Sequence, residues 1–179
     1  MKTLCSLILL SLFSSSALFS QQAATQPLSG PCAAKEQKQF DFWVGEWDLT
    51  WPGTRAGEVA HGTNSIQRIL DGCVIQEAFS GQQATPLRGT RISIFDVNAG
   101  KWKQTWVDNQ GGYLDFVGAL KDGQLILQRE ASGKGGAKTR QRMVWKNITQ
   151  NELDWSWEAS SDGGKTWQVQ WPIHYKRKS

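Results

Sequence analysis

Apolar and polar positions divide the chain into three stretches of different character. From Leu4 to Leu12 nearly every residue is apolar, with one cation, Lys2, before the run and small polar residues from Ser14 to Ser20 after it. That order predicts a secretory leader at 1–20. The run is too short to cross a hydrocarbon layer of about 30 Å as a helix. Residues 21–31 are mostly Gln, Ala, Ser, Gly and Pro, the composition of a linker. From residue 32 onward the pattern becomes periodic.

Phe40, Trp43, Val44 and Trp47 stand at i, i+3, i+4 and i+7, which predicts a short N-terminal helix closed by Gly45 as a left-handed cap. After Gly45 the period shortens to two. Trp47, Leu49 and Trp51 alternate with Glu46, Asp48 and Thr50, the repeat of a half-buried strand. Strands are predicted at 46–51, 58–69, 73–80, 89–96, 101–108, 112–120, 124–130, 139–147, 152–159 and 166–176. Turn residues lie between many of them: Asp71-Gly72, Asn98-Ala99-Gly100, Gly111-Gly112, Asp122-Gly123 and Asp162-Gly163-Gly164. Short turns join antiparallel neighbours. No helix remains to cover a sheet, so the apolar faces must be buried by closure or stacking. One continuous meander favours closure. The expectation is an all-β, single antiparallel up-and-down β-barrel of nine or ten strands over 32–179, with a short N-terminal helix.

Four blocks carry a family resemblance: FDFWVGEWDL from Phe40, ILDGCVIQE from Ile69, GKWKQTWVDNQG from Gly100 and SSDGGKTW from Ser160. They span most of 32–179 and resemble a bacterial family of exported lipocalin-like proteins known as a domain of unknown function. The Gly45-Glu46-Trp47 element is similar to the G-x-W opening of lipocalin-type (calycin) barrels. The resemblance implies a closed lipocalin-like barrel and supplies no catalytic set.

Composition narrows the function classes. The formal charge of +4 falls to +3 once Lys2 leaves with the leader. The single basic cluster, Lys176-Arg177-Lys178, reads as a solvated terminus, so no nucleic-acid partner is expected. Cys5 also leaves, and Cys32 and Cys73 form an even pair without CxxC spacing. A disulfide between them suits a secreted or periplasmic protein, and closing that loop contributes roughly 4 kcal/mol in the chain-entropy picture. No spacing of Cys, His, Asp or Glu predicts a zinc or EF-hand site, and no phosphate loop is present. No cofactor, metal or membrane span is expected.

Ser160 to Trp167 fits the Asp-box pattern S-x-D-x-G-x-T-W. A sialidase propeller would repeat this box in several blades. One copy reads as a hairpin in which the aspartate organises the turn.

Ten tryptophans are the strongest compositional feature. Each buries about 150–250 Å², a gross ~4–6 kcal/mol at ~25 cal/mol per Å². They serve either as core filling or as pocket walls. Eight strands make a barrel that side chains just fill, and more strands widen it. Parity groups Leu153, Trp155 and Trp157 on one face, and Trp167, Val169, Trp171, Ile173 and Tyr175 on another. It also groups Trp102, Gln104, Trp106 and Asp108, places Glu77 with Ile75 and Phe79, and sets Asp115 beside Tyr113 and Val117. Polar groups on an aromatic face need partners when buried. Arg91, Arg140 and Arg142 could supply them; alternatively Glu77, Gln104 and Asp108 are the polar anchors of a pocket.

The reading that follows is an exported, non-enzymatic protein binding a small apolar or aromatic ligand. Trp47, Trp106, Trp155 and Trp157 would form the walls, with Glu77, Gln104 and Asp108 as polar anchors. An alternative is a barrel enzyme of isomerase, lyase or hydrolase type, using Glu77 or Asp108 with a raised pKa as general acid or base. A lesser alternative is haem held by His61 or His174.

Overall fold

The computed structural model describes residues 32–83, 85–132 and 136–179. The predicted leader at 1–20 and linker at 21–31 lie outside the described residues. Ten strands form one closed sheet: β1 (Gly45–Pro52), β2 (Val59–Ile69), β3 (Val74–Ser80), β4 (Arg88–Asp96), β5 (Lys101–Asp108), β6 (Tyr113–Lys121), β7 (Gln124–Ser132), β8 (Lys138–Lys146), β9 (Glu152–Ser160) and β10 (Gln168–Arg177). Each pairs antiparallel with its sequence neighbours, and β1 closes on β10. This is the up-and-down barrel that the two-residue alternation demands.

The seam between β1 and β10 is hydrogen-bonded only from Trp47↔Arg177 to Thr50↔His174. Beyond that point stand Pro52 on β1 and Pro172 on β10, neither of which has an N–H to give a ladder. β10 is also bulged between Val169 and Trp171. The bulge corrects the predicted parity of this strand: Trp171, Ile173 and Tyr175 face inward, whereas Val169 is exposed and Trp167 lies outside against Arg142. An extra residue in a strand exchanges its faces.

The predicted short N-terminal helix is present and is of the 3-10 type. It forms two 3-10 turns, Lys35–Lys38 and Asp41–Trp43, and Val44 is already extended. With three residues per turn, Phe40 and Trp43 fall on the same side, and both are fully buried across one end of the barrel. Phe40 meets Trp102 edge-on at 4.7 Å and Trp145 at 5.3 Å. Trp47 donates its indole N–H to the Trp43 carbonyl at 2.7 Å. Arg68 pins the segment down, donating from Nε to Asp41 at 2.6 Å and from Nη2 to the Gln37 carbonyl at 2.6 Å. The Cys32–Cys73 disulfide, spanning 41 residues, ties the same segment to the β2–β3 turn.

Gly45 is not a helix cap. Its φ of +135° opens β1, and a Cβ there would collide with Nη1 of Arg177. Arg177 is therefore no solvated terminal cation. Its guanidinium stacks 4.1 Å from the Trp47 ring and donates to the carbonyls of Val44, Phe42 and Gln150 at 2.7–2.9 Å.

No described helix is long and apolar enough to cross a membrane.

Candidate functional site

The end of the barrel opposite the 3-10 turns is differently made. There the side chains enclose a cavity of about 230 Å³, lined by Phe79, Leu87, Arg91, Trp106, Asp108, Leu114, Met143, Trp155, Trp157, Trp171, Ile173 and Tyr175. Leu87, Asp108, Leu114, Trp157 and Trp171 are only partly buried, so this end meets solvent between the β3–β4, β5–β6 and β9–β10 loops.

Inward parity on each strand brings the walls together. Trp171 packs edge-on against Phe79 at 5.8 Å and Trp155 at 6.0 Å, and Phe79 meets Trp106 at 6.1 Å. Edge-to-face contacts suit the ring quadrupoles and leave an angular, unfilled volume between the rings. Trp106 lies flat along β4 because Gly89 has no Cβ; one placed there would overlap the indole ring. The Trp106 N–H donates to Asp108 at 2.9 Å.

Asp108 stands at the rim and is fully committed. Its carboxylate accepts from the backbone N–H of Gly112 and of Gln110, each at 2.9 Å, in addition to Trp106. The Gly112 N–H, then the Trp106 indole, hold its carboxyl below the usual aspartate range. The expectation of a raised pKa at Asp108 is thus corrected: the β5–β6 turn uses this carboxylate as an ionised acceptor.

Beneath the aromatic walls lies a polar floor. Glu77 on β3 is completely buried, and burial pushes its carboxyl above the usual glutamate range despite Arg91 and Asn64. Arg91, facing it from β4, is also buried, and its Nη1 lies 3.0 Å from Glu77 Oε2. Asn64 on β2 donates to Glu77 Oε1 at 2.5 Å and to the Tyr175 hydroxyl at 3.1 Å. The Arg91 guanidinium rests over two walls, 4.7 Å from the Trp106 ring and 5.1 Å from the Trp155 ring. Arg91 and Tyr175 line the cavity; Glu77 and Asn64 stand behind them.

Of the residues singled out from sequence, Trp106, Asp108, Trp155 and Trp157 line the cavity and Trp47, Glu77 and Gln104 do not. Trp47 belongs to the plugged end. Gln104 donates to the Ser93 hydroxyl at 2.8 Å within the core. Glu77 anchors Arg91, and both its oxygens lie against Arg91 or Asn64. That leaves it poorly placed to exchange a proton with a cavity substrate. Neither histidine can be an axial haem ligand inside the barrel. His61 is exposed, and His174, also exposed, lies 2.9 Å from Asp154 on the outer surface. Among the described residues no group of three or more His, Cys, Asp or Glu could hold a metal ion.

The alternation identified the inward-facing sets but not their height along the barrel axis. Arg91, Phe79, Trp171 and Tyr175 acquire their site role from the stagger between strands, to which single-strand periodicity is blind.

The Asp-box behaves as a hairpin on the outer surface. Asp162 accepts from the backbone and hydroxyl of Thr166 and from Ser160. These bonds, that of the Thr166 hydroxyl foremost, hold its carboxyl far below its ordinary value.

Fold and site together define a lipocalin-like closed barrel of ten strands, plugged at one end and hollow at the other. Residues 33–177 match the family described as a protein of unknown function, DUF1579, and the chain belongs to that family. No curated protein matches the chain.

Proposed function

We propose that this protein is an exported, non-enzymatic binding protein for a small apolar or aromatic molecule. In this reading residues 1–20 are a cleaved leader, 21–31 a linker and 32–179 the binding domain. The observation that carries the reading is the asymmetry of the interior. One half is filled by aromatic side chains from a dedicated N-terminal segment, and the other half keeps a cavity of about 230 Å³ between Phe79, Trp106, Trp155, Trp157 and Trp171. Side chains of similar size are available to both halves, so the hollow is not a shortage of bulk. Its volume lies below the ~300–1,000 Å³ typical of sites for drug-sized ligands, which favours a compact guest over a long lipid or haem. The Cys32–Cys73 disulfide supports export, since such bonds persist in oxidising compartments.

Several walls are indoles, so a guest entering the cavity alters tryptophan emission. Titration with small aromatics, short fatty acids, long-chain lipids and haem is expected to give a saturable change with the first two. A panel that leaves the emission unchanged throughout overturns the reading. Native mass spectrometry of protein from its own host tests the same point through a co-purifying small molecule.

A further inference from the structure

The polar atoms around the cavity are unequal in kind. Arg91 Nε and Trp155 Nε1, both on lining residues, are buried donors with no hydrogen-bond partner, whereas the unpartnered acceptor Asn64 Oδ1 belongs to a residue behind the lining. Nη2 of Arg91 makes no hydrogen bond to any described residue. The Tyr175 hydroxyl is engaged from behind the lining, accepting from Asn64. Among the described residues Asp108 is the one carboxylate in the lining, and its oxygens are taken by Trp106, Gly112 and Gln110. The lining side chains therefore offer unused donors and a carboxylate already engaged. A buried donor left without an acceptor is costly, and more so when charged. The complementary guest supplies oxygen acceptors and brings few donors.

Charge narrows the class further. A cationic guest is disfavoured because the Arg91 guanidinium already lies over the Trp106 and Trp155 rings. A dianion is disfavoured because Arg91 is the single cation among the described lining residues and is shared with Glu77. The volume of about 230 Å³ matches about eight waters at ~30 Å³ each, hence a guest on the order of ten non-hydrogen atoms.

We propose that the cavity takes a small monocarboxylic acid with a flat or branched apolar body, its carboxylate set against the Arg91 guanidinium. Planar guanidinium and carboxylate groups match in geometry, and the rings of Phe79, Trp157 and Trp171 cover the body. The inference rests on the reading of the cavity as a ligand site and adds the chemistry of the guest.

The test uses three near-isosteric probes on the whole mature protein: phenylacetate, phenylacetamide and 2-phenylethylammonium, followed by tryptophan emission and calorimetry. Phenylacetate is expected to bind roughly ten- to a hundredfold tighter than the amide, the gain expected of a charge-assisted hydrogen bond. The ammonium compound is expected not to bind at the same concentrations. Arg91→Met is expected to erase the preference for the acid while amide binding remains. Arg91→Lys, which keeps the charge opposite Glu77, is expected to retain part of it. The comparison on the unaltered protein decides the matter if either variant fails to fold. Equal or tighter binding of the amide, or preference for the ammonium compound, overturns the carboxylate assignment and leaves the cavity reading intact. Silence from all three probes and from the wider panel overturns both.

Discussion

The two ends of this barrel use the same side chains to opposite effect. At the closed end Phe40, Trp43, Trp47, Trp102 and Trp145 are all essentially inaccessible. Arg68, Arg177 and a disulfide fix the segment that supplies the first two. At the open end no described segment covers Trp106, Trp155, Trp157 and Trp171, and a cavity remains. Aromatic content therefore does not determine whether a barrel is filled. A covering element does, because ten strands enclose more volume than the inward side chains of their upper half occupy. Between the two ends sits the buried Glu77–Arg91 pair.

The contrast can be broken most forcefully at the plug. Phe40→Ala is expected to cost ~3–5 kcal/mol, the usual range for emptying a large aromatic site in a packed core. Trp171→Ala, at the half-exposed wall, is expected to cost clearly less while weakening any cavity ligand. Urea denaturation of both variants measures the difference. Equal losses would mean that the two ends are equally packed.

Glu77→Ala is next in size. It leaves the Arg91 guanidinium buried without its counter-charge, and removing one partner of a buried pair typically costs ~3–5 kcal/mol. Arg91→Met should be milder, because Glu77 can take up a proton and become neutral. The order of the two midpoints in denaturant checks this. A milder Glu77→Ala would show the pair to be solvated.

Removing the disulfide by Cys32→Ser with Cys73→Ser is expected to cost about 2–5 kcal/mol. Its effect should fall on the plugged end, with faster amide exchange around Phe40 and Trp43 and little change at Trp157. Uniform loss of protection would contradict a local tether.

The smallest effect is a pH dependence. Glu77 has a folded-state pKa above its unfolded value of about 4.3. Between those values the folded chain holds a proton that the unfolded chain has released. Its contribution is thus full below about pH 4.3 and is lost as pH rises through the folded value. Asp108 and Asp162 have the opposite sign, since their folded values are depressed. What they contribute is present above their ordinary value and is lost as pH falls below it. As pH rises above about 4.3 the wild type should therefore lose stability relative to Glu77→Gln. A flat difference between the two would remove the burial effect assigned to Glu77.

Much of the strand map could be read from alternation alone. The predicted 101–108 is β5 to the residue, and β1, β3 and β9 differ by one or two positions. The differences share one cause: a local period does not continue past a point where the backbone changes state. Gly45 was expected to close a helix, yet its φ serves the passage of Arg177 from the far end of the chain. Trp167 and Val169 were grouped with Trp171, and the bulge reversed them. The site shows the same boundary. Trp106, Asp108, Trp155 and Trp157 came from parity, whereas Trp47 and Gln104, grouped by the same parity, lie at other depths.

Sequence alone determined the strands, their in–out alternation, the cysteine pair and the antiparallel order, because each depends on residues near one another or on a count. Tertiary structure alone decided which inward side chains share a level, that Arg177 is a clasp, and that Arg91 and Tyr175 line a cavity. Those properties arise from the stagger accumulated around a closed sheet, and no single strand encodes that stagger.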